Sequence, residues 1–238
     1  MTDREPVTGL PKYVAISEML IREIAAGHLA DGARLPPERD MAEDLAISVG
    51  TLRKALAELE DKGLLDRVQG SGNYVRHQAD VDSVYAFFRL ELLRGGGLPT
   101  AQVLDVTRLA KPADAPPFGD APEGHRVRRL RSLGTQVIAL EEIWLDGGLR
   151  HRIGKAELGD SLYVFYRDAL GLRMAAVEDR VGVAAMPDWT PQGFPVNAGD
   201  TVGYVERVGR CVQGRAIEFS RTWFDSSRAR YVARMGKV

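Results

Sequence analysis

The apolar residues of this 238-residue chain change period once, near residue 80, and that change implies two separately folded parts. Before it, Ile16, Leu20 and Ile24 recur every four residues between Lys12 and Ala26, and Leu52, Leu56 and Leu59 form one stripe along ISVGTLRKALAELEDKGLL. Gly27 and Gly63 supply helix stops, and Ser48 suits an N-cap. After it, apolar and polar residues alternate in AQVLDVTRL, RVRRLRSL, TQVIALEEIWLD, AAVEDRVGVAAM, TVGYVERVGRCVQ and AIEFSRTWFD, with one helix, AELGDSLYVFYRDALG, among them. The length is large for one core and comfortable for two. Polar, aperiodic HQADVDS at 77–83 reads as a linker, so the expected domains are 1–76 and 84–238. The second is expected to be α+β with a largely antiparallel sheet.

RVQGSGNYVRH at 67–77 decides what the first domain does. Its glycines are not a nucleotide loop, because a phosphate-binding loop leads into a helix and Gly70-Ser71-Gly72 leads into another strand. Gly70 and Gly72 instead allow positive φ at a hairpin tip and close approach of a sugar-phosphate backbone. Helices followed by a hairpin give the order of a winged helix-turn-helix. Its third helix offers Ser48, Val49, Gly50, Thr51 and Arg53 to the major groove while the leucine stripe packs inward. Net charge works against DNA binding. Residues 1–78 hold ten Lys/Arg against thirteen Asp/Glu, so any DNA-facing cations must be gathered on one face. Arg39 and Arg53 could equally be solvated helix cations beside acids.

Spaced motifs in register weigh more than charge. G-x-R-L-P-x-E-R at 32–39, S-x-x-T-L-R at 48–53, L-x-x-L-E-x-x-G-L at 56–64 and Q-G-x-G-x-Y-V at 69–75 resemble the winged-helix domain of GntR-type bacterial transcription regulators. The resemblance implies double-stranded DNA as partner and places Arg34, Glu38, Arg39, Ser48, Thr51, Arg53 and Gly70 on or next to it. Pro37 stands where the family has a serine, and Val49-Gly50 where it has an arginine and a small polar residue.

Chemistry in the second half points to a small anion. On a strand, Arg129 and Arg131 share a face and could fork a phosphate or carboxylate. Ser161 near the start of the Leu162–Leu170 helix adds a hydroxyl, Thr100 follows GGGLP, and Arg173 follows the helix. Glu141 and Glu218 could accept hydrogen bonds from ligand hydroxyls or an amine. Arg129 and Glu141 could also be an ordinary cross-strand ion pair on an exposed face. Trp144, Trp223 and Phe224 read as core or dimer contacts.

SVYAFFRLELLRGGGLPTAQVLD, VRRLRSLGTQVIALEEIWL, SLYVFYRDALGLRM and GRAIEFSRTWFD resemble the UTRA ligand-binding domain of the HutC subgroup, which shares its fold with chorismate lyase. That likeness places the named residues near an effector site. It implies a homodimeric one-component repressor on a palindromic operator, responding to a sugar phosphate or organic acid. An enzyme of chorismate lyase-like fold is the alternative, with Glu141 and Glu218 its only candidate groups and no histidine motif or G-x-S-x-G. One cysteine, Cys211, and four scattered histidines give no metal site, and no cofactor is expected. No apolar run approaches the ~20 residues of a span, and MTDREPVTGL lacks an apolar signal core, so no membrane partner and a cytoplasmic location are expected.

Overall fold

The structure is a computed structural model describing residues 11–25, 27–77, 85 and 87–234. They form two compact units, one built on residues 11–89 and the other on 90–232. Of the expected linker 77–83, only His77 is among the described residues.

In the first unit α1 (Lys12–Ala25), α2 (Glu38–Asp44) and α3 (Val49–Asp61) precede the hairpin of β1 (Leu65–Val68) and β2 (Gly72–Val75). Ile16, Leu20, Ile21 and Ile24 of α1 meet Leu52, Ala55, Leu56 and Leu59 of α3 in one buried cluster, as their spacing requires. Ser48 caps α3, its Oγ accepting from Thr51 N–H at 3.1 Å, and Gly63 at φ +68° follows its end. The segment before α2 joins the hairpin. Gly32 N–H donates to the Val75 carbonyl and Leu35 N–H to the Asn73 carbonyl, and Arg34 bridges to Tyr74.

The second unit is a six-stranded antiparallel sheet of β4 (Pro99–Ala110), β5 (Glu123–Leu133), β6 (Gln136–Asp146), β7 (Met174–Ala185), β8 (Thr201–Cys211) and β9 (Ala216–Phe224). Its spatial order is β4-β5-β6-β9-β8-β7. A separate ribbon pairs β3 (Leu90–Leu92) with β10 (Ala229–Tyr231), two strands too short to leave a periodic signal. Helix α4 (Leu162–Leu170) packs Leu162, Phe165 and Tyr166 on one face of the sheet, against Val127, Ile143 and Leu145. Ala156–Gly171, expected as one helix, is shorter: a 3-10 turn at Lys155–Glu157 is separated from α4 by Leu158–Ser161, where Gly159 interrupts. On the other face Leu140 and Trp223 pack with Met186, while Trp144 and Phe219 pack with Phe118. Trp144, Trp223 and Phe224 are all buried within the protomer.

Gly203 of β8 lies beneath the Phe224 ring, and any Cβ there would collide with it. Gly203→Ala is expected to destabilise the protein by about 1–3 kcal/mol through overpacking, measured by thermal or urea denaturation.

Candidate effector site and nucleic-acid interface

A single carboxylate organises the second unit. Arg129 and Arg131 alternate onto the same face of β5, and register sets Glu141 of β6 opposite Arg129. Arg129 Nε donates to Glu141 Oε2 at 2.5 Å; Arg131 donates through Nε to Oε1 at 3.2 Å and through Nη2 to Oε2 at 3.1 Å. Both guanidiniums also reach the Asp160 carbonyl just before α4, at 3.5 Å and 3.0 Å. All three side chains are buried. The cross-strand pairing allowed by the sequence is therefore present, but inside the protein rather than on an exposed face. Two cations share one anion there.

Burial alone would raise the Glu141 carboxyl. The fields of Arg129 and then Arg131, with their hydrogen bonds, outweigh it and hold the group down to about 2. Arg129 is lowered, first by burial and then by the like charge of Arg131. On the same face, Glu218 of β9 lies opposite Leu145 and accepts from Tyr166 Oη at 2.6 Å and Tyr163 Oη at 3.4 Å. Burial raises Glu218, with Glu141 adding to the shift and the Tyr166 hydrogen bond opposing it. Arg207 of β8 continues the polar line, forked onto Asp179 of β7 at 2.6 Å through each of two nitrogens. Sequence reading missed Asp160, Tyr163, Tyr166 and Arg207. The two tyrosines carried a usable signal, since their i, i+3 spacing sets them on one helix side beside Leu162.

The other expected residues divide. Ser161 is the buried N-cap position of α4. Thr100 pairs with Ser132, so alternation turns it to the face opposite Arg129 and Arg131. Arg173 is exposed on the short connection between α4 and β7. The structure thus brings together Arg129, Arg131, Glu141 and the Asp160–Ser161 turn, sets Glu218 on the same face, and does not bring Thr100 to that face.

In the first unit the expected DNA-facing residues cluster around α2, α3 and the hairpin. Arg53, 64% exposed, donates from Nε to Glu38 Oε2 at 2.6 Å, which ties the start of α2 to α3. Ser48 Oγ lies 2.8 Å from Thr51 Oγ1. Gly50 and Arg39 are exposed, whereas Val49 is half-buried and packs on the helical core. Gly70 has φ +75° and Gly72 φ +136°, both unfavourable for other residues. A Cβ at Gly72 would press on Arg34 Nε, so the hairpin runs directly over that guanidinium. Arg67 donates to the Arg53 carbonyl at 3.2 Å and pairs with Glu60. Several acids of this acidic unit are thus already engaged with its cations.

A winged helix carrying such a face, on one chain with a sheet that buries two arginines against a glutamate, has the architecture of a DNA-binding transcriptional regulator. Residues 12–75 match the family described as bacterial regulatory proteins, gntR family, and residues 94–230 match the UTRA domain. The chain is 56% identical over 226 residues to the HTH-type transcriptional regulator SmoD of Agrobacterium fabrum, covering 95% of this chain and 97% of that one. It is 26% identical to the mannosyl-D-glycerate transport/metabolism system repressor MngR of Escherichia coli, covering 91% and 92%. The ligand-binding domain of a GntR-family regulator from Bordetella bronchiseptica has the same fold. Its TM-score is 0.56 at 19% identity, over 64% of this chain and 99% of that one. The chain belongs to the GntR family of bacterial regulatory proteins and carries a UTRA domain. These relatives are regulators rather than enzymes, and the enzyme alternative finds no support. Among the described residues, no helix is long and apolar enough to cross a membrane.

Glu141→Gln leaves two buried guanidiniums without their counter-charge and is expected to cost about 3–5 kcal/mol at neutral pH, measured by urea denaturation. Because Glu141 is lowered from 4.5 to about 2, its contribution is present above 4.5 and is lost as pH falls from there toward 2. The wild-type stability curve should slope steeply in that window, and the variant's should be flatter. Ser48→Ala should cost about 1 kcal/mol by removing the α3 cap, read in the same assay.

Proposed function

We propose that this protein is a one-component repressor of the HutC subgroup, acting in the cytoplasm as a homodimer on a palindromic operator and released by a small anionic metabolite. In this reading residues 1–76 bind DNA, 77–83 link, and 84–238 bind the effector and dimerise. The observation that carries it is the pair of buried arginines beneath α4. Arg129 and Arg131 lie side by side on one face of β5, at the Glu141 carboxylate and the turn before α4, and two guanidiniums so placed suit a phosphate or carboxylate. The Ser161 hydroxyl and the hydrogen-bonding edge of Glu218 suit a hydroxylated anion such as a sugar phosphate or sugar acid. The name of the Escherichia coli relative, a repressor tied to mannosyl-D-glycerate, supports both the direction of control and that effector class.

For DNA, the reading assigns Ser48, Gly50, Thr51 and Arg53 to the major groove, with Val49 contributing only its exposed part. Arg34, Arg39 and the Gly70–Gly72 tip are assigned to the backbone, and Glu38 to positioning Arg53. Effector and operator are coupled by the difference in effector affinity between free and DNA-bound protein, typically about 1–3 kcal/mol.

Fluorescence anisotropy on the DNA upstream of the protein's own gene tests the regulator. Binding is expected to be salt-sensitive, specific over scrambled DNA, and about tenfold or more weaker in Arg53→Ala. Equal affinity for both DNAs would sink the operator assignment. Calorimetry with a panel of sugar phosphates and sugar acids tests the effector. A binder is expected that releases the operator fragment and loses affinity in Arg131→Ala. A binder unaffected by Arg131→Ala would show that the anion site lies elsewhere.

A further inference from the structure

We infer that the β3–β10 ribbon is a two-stranded hinge joining the units, and that Tyr231, held by Asp179, latches it to the edge of the effector face. The inference rests on the regulator of the reading above for its purpose, since such a hinge matters only where one unit controls the other.

Chain connectivity singles out the ribbon. The first unit takes the chain up to Arg89 and again from Ala233, and the second takes Leu90–Val232. Leu90 and Tyr231, beside these two crossings, are register partners at the end of the ribbon, so both passages leave from one paired step. A lone strand could swivel about two soft dihedrals per residue, and pairing removes that freedom. Beyond β3 the chain runs through Gly95, Gly96 and Gly97, at φ +73°, +71° and +92°, before β4 begins. Three successive glycines let the ribbon turn without dragging β4.

The latch stands where the ribbon meets the sheet. Asp179 of β7, Arg207 of β8, Ser220 of β9 and Ile143 of β6 are successive register partners, which sets Asp179 and Arg207 on the α4 face with Glu141 and Glu218. Tyr231 Oη donates to Asp179 Oδ2 at 2.5 Å, and Arg207 forks the same carboxylate. Burial raises the Tyr163 hydroxyl and Glu218 adds to the shift, while the charge and hydrogen bond of Arg207 oppose it. Tyr163 in turn donates to Glu218. A ligand that takes Tyr163 or Glu218 as its partner therefore changes what surrounds Arg207, and with it the carboxylate that holds Tyr231.

Beyond the crossings both passages are anchored at the end of α1. Phe88 N–H donates to the carbonyl of buried Tyr85 at 2.8 Å, and the Arg22 guanidinium of α1 lies over the Phe88 ring, 4.7 Å from its centre. Arg234 reaches His28, just past α1, at 3.5 Å. One turn before Arg22, buried Glu18 pairs with Lys62 at the end of α3, at 3.6 Å. A rotation of the ribbon is thus delivered to the last turn of α1 by two attachments, and through Glu18 and Lys62 to the helix assigned to the major groove.

Electron–electron double resonance on the full chain tests the latch, with spin labels at Asp44→Cys in the first unit and Asp120→Cys in the second, both exposed positions. Labelled chains are diluted with unlabelled ones so that distances within one chain are read, and buried Cys211 stays unlabelled. The wild-type background should give one narrow distribution. Tyr231→Phe, which keeps the ring and loses the hydroxyl, should broaden it or add a second distance, as should Asp179→Asn, with melting as the fold control. Tyr204→Phe, which removes a hydroxyl bonded to Glu206 on the opposite face of β8, should not. In anisotropy on the DNA upstream of the protein's own gene, Tyr231→Phe should change operator affinity by about fivefold or more without added ligand. A broad wild-type distribution, or a folded Tyr231→Phe with the wild-type distribution, overturns the latch. Altered distances with unchanged operator affinity overturn its control of DNA binding. A wild type that does not distinguish operator from scrambled DNA sinks the regulator reading instead, and the distances still decide the latch. If neither latch variant folds, Arg22→Ala, which cuts the anchor on α1, should broaden the distribution, and an unchanged one overturns the hinge.

Discussion

Two guanidiniums on one buried carboxylate constrain the whole second unit. Neither Arg129 nor Arg131 can sit in an apolar interior without a counter-charge, and Glu141 cannot sit there without them. Satisfying all three requires β5 and β6 in one register and the Asp160 carbonyl brought over them. The turn that brings it also delivers the start of α4, whose Leu162, Phe165 and Tyr166 then close the core. Sheet register, helix position and the buried ion cluster are one arrangement seen from three sides. A buried cluster of this kind adds little net stability over an apolar core, yet losing one member is costly.

The first unit is held differently. Its core is a leucine and isoleucine cluster, and its polar work is done at the rim. There a serine caps a helix, a carboxylate holds an arginine, and a glycine lies over a guanidinium. The cap spans three residues, whereas Glu38 and Arg53 are 15 apart and Arg34 and Gly72 come from opposite ends of the helix pair, so only the cap is local in sequence.

That contrast explains what could be read before the structure. The three helices, the hairpin and the Ser48 cap were legible because their determinants are local: a period near four, a hydroxyl before a helix, glycines at a tip. The six long strands were legible from alternation. The order of the sheet was not, because nothing in AIEFSRTWFD says that it inserts between β6 and β8. Thr100 shows the cost of lacking register. The family likeness placed it near the effector site with the arginines, yet its pairing with Ser132 rather than Arg131 turns it to the other face. Arg129, Arg131 and Glu141 could be nominated from residue type and alternation, but their burial, which distinguishes a charged site from a surface ion pair, comes from α4 and the turn before it. The β3–β10 ribbon joins three-residue strands from opposite ends of the unit, and no window of sequence contains it.

The Glu38–Arg53 pair has a consequence for whatever Arg53 meets. A free arginine carries its rotameric freedom to an encounter and loses it on contact. Arg53 has given up part of that freedom in the folded protein, so under the proposed assignment to the major groove less would remain to be lost on binding.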